Sequence, residues 1–149
     1  MIIVVDSSVW SLVLRRSRVD EGNPWGEAFR RHVREGDGVV LAGPILQELL
    51  TGIRWPEEFD RLTQSLSHFP LLPASRETYV LAAQISNHCR SDGVQATPAD
   101  CLIAAGCVEH HYPLLTADRD FVRIAEHCGL VLLPPCRDGR LRQRRNCMT

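Results

Sequence analysis

Residues Ile2-Ile3-Val4-Val5 form a β-branched run without polar alternation, which reads as a strand buried on both faces, as in a parallel sheet. Short apolar runs recur at Val39 to Ala42, Leu71 and Leu72, Leu114 to Thr116, and Leu130 to Leu133. Between them lie stretches with helical character: Val9 to Leu14, Trp25 to Arg34, Pro44 to Ile53, Glu57 to Phe69, Arg76 to Arg90, Pro98 to Glu109 and Arg119 to His127. Strands alternating with helices predict an α/β domain around a central parallel sheet with right-handed crossovers. The Glu57 to Phe69 helix is expected to pair with its neighbour as a small projecting hairpin.

The chain has 149 residues, 44% hydrophobic and 23% charged, enough for one domain with a real core. No internal repeat is visible. No apolar run approaches the ~20 residues of a membrane span, and the first run is short and lacks a basic leader. The expectation is a cytoplasmic protein with no membrane association. The six cysteines, at positions 89, 101, 107, 128, 136 and 147, include no Cys-x-x-Cys pair, so reduced thiols are expected. Cys107-Val108-Glu109-His110-His111 holds zinc-type ligands, but it ends a helix and no second pair stands at finger spacing. A surface turn explains it better than zinc.

Net charge is only −1, which makes no claim on nucleic acid for the chain as a whole. Its distribution says more. Every basic residue except histidine is arginine, clustered at Arg15, Arg16 and Arg18, at Arg30, Arg31 and Arg34, and at Arg137, Arg140, Arg142, Arg144 and Arg145. Arginine forks suit phosphate, although they also commonly cover solvated helix faces. The last cluster follows Pro134-Pro135 and reads as an arginine-rich tail, residues 134–149, beyond a domain of residues 1–133.

Carboxylates stand where solvated surface acids are least expected. Asp6 follows the first strand, and ligand crevices of open α/β sheets lie outside the carboxyl ends of strands. Alone, Asp6 is equally well read as a turn residue or helix cap, and Ser7 and Ser8 after it can cap the next helix. Glu48 lies one turn into the helix opened by Gly43-Pro44, at the edge of the apolar arc of Ile45, Leu46, Leu49, Leu50 and Ile53. Asp100, in Thr97-Pro98-Ala99-Asp100, fits a helix start with a threonine cap. Yet Ile103, Ala104 and Cys107 on its face belong to a helix apolar nearly all round, where an unpaired carboxylate is costly. Asp118 and Asp120 follow Leu114-Leu115-Thr116, and their side chains point about 200° apart on a helix, so only Asp118 is expected at a site centre. Asp120 then serves as an outer or second-metal ligand.

If these acids converge, their mutual repulsion of about 4 kcal/mol per pair at ~4 Å would make the group take up protons or bind cations. Oxygen-only donors favour Mg²⁺ or Mn²⁺ over zinc, and such ions promote phosphodiester hydrolysis.

Val-Val-Asp6-Ser-Ser-Val-Trp, Gly-Pro-Ile-Leu-Gln-Glu48-Leu-Leu-Thr-Gly, Thr-Pro-Ala-Asp100-Cys-Leu-Ile-Ala-Ala and Leu-Leu-Thr-Ala-Asp118-Arg-Asp120-Phe, in that order, resemble the motifs of PIN-domain ribonucleases. More narrowly, the chain is similar to the VapC toxins of bacterial toxin–antitoxin pairs. The resemblance runs from residue 2 to about residue 133 and leaves the arginine-rich tail unmatched. It implies a three-layer α/β/α fold and endonucleolytic cleavage of structured RNA such as tRNA or rRNA. It also implies catalytic Asp6, Glu48, Asp100 and Asp118 ligating Mg²⁺ or Mn²⁺, with Asp120 assisting and Ser7 and Thr116 in support. The implied partners are a second copy, forming a homodimer, and a VapB-like antitoxin whose tail covers the active site.

Two other classes compete. Receiver domains and haloacid-dehalogenase-like phosphatases also place an acid after the first strand. The phosphatases want a second aspartate where Ser8 stands, and receivers want a late lysine, which this chain lacks. A PIN-like domain that only binds RNA or protein is the other, and the full acidic set argues against it.

Overall fold

A computed structural model describes residues 1–14 and 22–136. The arginines at 15, 16 and 18 and those of the tail lie outside the described residues. The described elements are β1 (Ile2–Val5), α1 (Ser7–Leu14), α2 (Pro24–Arg34), β2 (Gly38–Val40), α3 (Gly43–Leu50), α4 (Pro56–Leu66), α5 (Arg76–Ser91), α6 (Pro98–His110), β3 (Leu114–Leu115) and α7 (Asp120–Ala125). Proline occupies the first helical turn of α2, α3, α4 and α6, where its missing N–H costs nothing and its fixed φ favours the helix.

The sheet is parallel with order β2-β1-β3. Ile3 pairs with Val39, while Val4 and Val5 pair with Leu114 and Leu115. Central β1 is therefore flanked on both sides, which is why its β-branched run shows no alternation: Ile3, Val4 and Val5 are fully buried. The chain moves one way from β1 to β2 and the other way from β2 to β3. Right-handed crossovers then put α1 and α2 on the face opposite α5 and α6, and the β1–β3 boundary becomes the point where strand order reverses.

Two expected strands shrink to single bridges. Leu71 pairs in parallel with Leu41, and Leu132 with Leu114, at the two edges of the sheet. Pro70 and Pro73 bracket the first segment and Pro134 follows the second; proline removes ladder donors and confines such segments to short edges. Helix α3 also stops at Leu50 rather than Ile53: Thr51 is already extended, with ψ 132°, and Gly52 after it takes φ +85°, outside the helical region.

Val9 and Trp10 belong to the core. The Trp10 ring lies 5.1 Å from Phe29 and 5.0 Å, edge-on, from Phe69, which ties α1 to α2 and to the segment after α4. Helix α4 contacts α3 and contributes Leu66 to the core, with Phe59 left exposed. Helix α6 is buried on nearly every side through Cys101, Ile103, Ala104, Ala105, Gly106 and Cys107.

Cys89, Cys101, Cys107, Cys128 and Cys136 are free. Burial pushes the thiols of Cys89, Cys101 and Cys128 up, and that of Cys107 up to about 12. Cys107 is thus a small core hydrophobe. His110, three residues further on, stacks on Tyr112, and its Nε2 lies 3.2 Å from the Pro73 carbonyl. No helix among the described residues is long and apolar enough to cross a membrane.

Candidate active site

The pairing of Val5 with Leu115 carries Asp6 and Thr116 past the strand ends side by side, and the Asp6 amide donates to the Leu115 carbonyl at 2.9 Å. Asp6 is 4% exposed and Thr116 5%. Asp6 also caps α1: its carbonyl accepts from the Val9 and Trp10 amides and its Oδ2 from the Ser8 amide at 3.4 Å. Capping and site placement are therefore compatible, and the cap is Asp6 rather than Ser7 or Ser8.

Two hydroxyls fix the buried carboxylate. Ser8 Oγ donates to Asp6 Oδ2 at 2.6 Å and accepts from the Ala117 amide at 3.1 Å. Thr116 Oγ1 donates to the same oxygen at 2.9 Å and accepts from the Asp118 amide at 3.0 Å. Both hydroxyl protons are committed to Asp6, so the 3.4 Å approach of Ser8 Oγ to Thr116 Oγ1 is a contact rather than a third bond. The loop after β3 is thereby tied to the loop after β1. Among the described residues, Asp6 Oδ1 accepts no hydrogen bond.

Asp100 stands in the first turn of α6, and its amide donates to the Thr97 cap at 3.1 Å. Burial, and then the negative charges of Asp6, Asp118 and Asp120, push its carboxyl above the usual range, against a lowering hydrogen bond from Thr97. Asp118 is exposed, and its Oδ1 accepts from the Asp120 amide at 2.9 Å, opening α7. Glu48 is exposed on the second turn of α3.

These parts meet in one recess of about 250 Å³, lined by Asp6, Ser7, Ser8, Ser11, Glu48, Asp100 and Asp118. Four elements supply it: the β1 end with α1, α3, α6, and the segment after β3. Asp120 is exposed and lies outside this lining, although its charge is felt at Asp100. Ser7 lines the recess, whereas the hydroxyl that holds Asp6 is that of Ser8, which spacing alone did not single out. Its signal is the Asx-type turn, in which Asp6 accepts from the residue two positions on. Ser11 was also missed; it stands three and four residues from Ser8 and Ser7, on the same helical face.

The donor set is entirely oxygen, which fits a hard divalent cation such as Mg²⁺ or Mn²⁺. The four carboxylates do not form a closed cage: among the described residues, the trios with ligand atoms within 4.8 Å of one another lie elsewhere. An open acidic recess of this kind suits a cation that keeps part of its water shell and leaves room for a substrate oxygen.

Arg30 and Arg34 form exposed pairs with Glu27 at 3.4 and 2.9 Å along α2. Arg119, exposed beside Asp118, lines a neighbouring groove with Trp25, Val122, Leu132 and Pro134.

The family model described as the PIN domain matches residues 3–127. No curated protein sequence matches the chain. Three solved structures share its fold. VapBC2 from Rickettsia felis, bound to a DNA fragment from its promoter, has TM-score 0.71 and 17% identity over 89% of this chain and 98% of that one. FitAcB from Neisseria gonorrhoeae has TM-score 0.69 and 22% identity, covering 91% and 98%. VapBC-1 from nontypeable Haemophilus influenzae has TM-score 0.71 and 18% identity, covering 89% and 97%.

Proposed function

Because the chain belongs to the PIN domain family, we propose that it is a metal-dependent endoribonuclease of the VapC kind, the toxin of a toxin–antitoxin pair, hydrolysing phosphodiester bonds of structured RNA. The observation that carries this reading is the convergence of Asp6, Glu48, Asp100 and Asp118, from four separate elements, on one polar recess at the strand-order reversal. The fold likeness to VapBC and FitAcB structures supports an antitoxin partner and the toxin assignment.

When bound, Mg²⁺ or Mn²⁺ supplies Lewis acidity toward the phosphodiester and lowers the pKa of a coordinated water. The chain's own residues do the positioning. Asp6 is held rigidly by Ser8 and Thr116 through Oδ2, which leaves Oδ1 as a ligand. Asp100, whose carboxyl is pushed above the usual range by burial and then by the neighbouring negative charges, would serve as a further ligand. Glu48 and Asp118, both exposed, would complete the donor set, and Asp120 would act from outside the recess. Arg119 is placed to meet a phosphate flanking the scissile one. A homodimer is part of this reading and is checked by the protein's mass in solution.

The test is cleavage of total bacterial RNA by purified full-length protein, with Mg²⁺ or Mn²⁺ against chelator. Discrete fragments, lost in chelator and in Asp100→Asn, are expected. No cleavage by folded, metal-loaded protein free of antitoxin would overturn the nuclease reading in favour of binding alone.

A further inference from the structure

Away from the acidic recess, the end of α5 and the segment after α7 bring together His88, Asp92 and His127, whose ligand atoms all lie within 4.8 Å of one another. We infer that these three residues form a separate binding site for a borderline divalent transition-metal ion of the zinc class, which fastens the end of α7 to α5.

His88 and Asp92 are four residues apart at the α5 terminus, where that spacing puts two side chains on one helical face. His127 arrives from a distant part of the chain. Its Nδ1 lies 3.2 Å from Asp92 Oδ2, close to the ~3.4 Å that separates two donors on a tetrahedral ion with bonds near 2.1 Å. The His88 and His127 rings meet edge-on with centroids 5.2 Å apart. His88 and Asp92 are exposed, so their side chains have room to turn toward a shared ion.

Two imidazole nitrogens with one carboxylate oxygen select differently from the recess, whose donors are all oxygen. The second trio of the described residues, His32, Glu35 and Asp37, carries no such site. Both Asp37 oxygens are already engaged, by the N-terminal ammonium at 3.0 Å and by His32 at 2.7 Å. The position of the His88 trio has a consequence for the recess. Helix α7 is a single short helix that begins two residues after Asp118 and ends two residues before His127. An ion fixing its far end restrains the segment that carries a recess acid at its near end.

The experiment uses untagged full-length protein stripped of metal, titrated with Co²⁺ and with Zn²⁺ as probes. One equivalent of Co²⁺ is expected to give visible d–d absorption without a thiolate charge-transfer band, and Zn²⁺ to raise the melting temperature. His127→Ala and His88→Ala should each weaken this binding by more than the roughly 10- to 100-fold that follows loss of an outer-sphere partner. Asp100→Asn should leave it unchanged. Circular dichroism checks that the histidine variants fold. Undiminished affinity in those variants, a thiolate band, loss in Asp100→Asn, or no binding to the native protein would each overturn the site.

Discussion

Thr116 Oγ1 lies 2.9 Å from Asp6 Oδ2, to which it donates, and 3.0 Å from the Asp118 amide, from which it accepts, so one buried hydroxyl couples two recess acids. Valine has nearly the same shape but neither polar function. Thr116→Val should cost about 1–3 kcal/mol, because the Asp118 amide loses its partner and Asp6 one of its two hydroxyl donors. RNA cleavage should fall by roughly 10- to 100-fold, the usual effect of removing a group that orients a metal ligand, and more Mg²⁺ should be needed to reach half-maximal rate. Thr116→Ser should recover most of both. Urea unfolding and metal-dependent kinetics read the two effects, and a Thr116→Ser variant as impaired as valine would remove the hydroxyl from the explanation.

Ser7 and Ser8 are adjacent in sequence and differ in what they hold. Ser8 Oγ bridges Asp6 Oδ2 and the Ala117 amide, whereas no hydrogen bond from the Ser7 side chain is found among the described residues. Ser8→Ala should therefore lose about 1–3 kcal/mol in urea unfolding, and Ser7→Ala should stay within about 0.5 kcal/mol of the native protein. Equal destabilisation by the two substitutions would contradict the assigned bridge.

Asp100 gives a pH dependence of definite sign. Its folded carboxyl titrates above its unfolded value, mainly through burial and then through neighbouring negative charge, so the folded state binds the proton more tightly. Stability from this group in metal-free protein is fully present below the unfolded pKa, falls as pH rises through the raised folded pKa, and stays low above it. Asp100→Asn should consequently be more stable than the native protein at neutral pH without metal, while losing cleavage. Added Mg²⁺ should reverse the order, stabilising the native chain by about 2.7 kcal/mol at a hundredfold excess over Kd and the variant less. Thermal melts across mildly acidic to neutral pH, with and without Mg²⁺, decide it. A variant less stable than native without metal would reduce Asp100 to a packing role.

How much was legible follows from how local each cause is. The run Ile2 to Val5 encodes its own burial, and Thr97-Pro98 encodes a helix start one turn before Asp100, so both acids could be placed from sequence. The edge strands could not, because whether Leu71-Leu72 extends the ladder or merely touches it depends on prolines competing with long-range pairing. The choice of Ser8 over Ser7 depends on the register of β1 against β3, which sets Ala117 and Thr116 beside one serine only. The pairing of Arg30 and Arg34 with Glu27 is of the same kind: helical spacing permitted it without requiring it.

Gly106 offers a test of how α6, which carries Asp100, is seated. A Cβ at this position would lie 2.6 Å from Leu72 Cδ2 and 3.3 Å from its Cγ. Leu72 is buried, and its amide is bound to the Leu41 carbonyl at 2.9 Å, so relief must come from its side chain. Overpacking of this kind costs about 1–3 kcal/mol, against about 1 kcal/mol gained from alanine's helix propensity. Gly106→Ala alone should thus lose up to about 2 kcal/mol. In a Leu72→Ala background the obstructing carbons are gone, and the same substitution should instead stabilise by about 1 kcal/mol. A double-mutant cycle by urea unfolding measures the change of sign, and additive effects would show that α6 does not rest on the Leu72 edge.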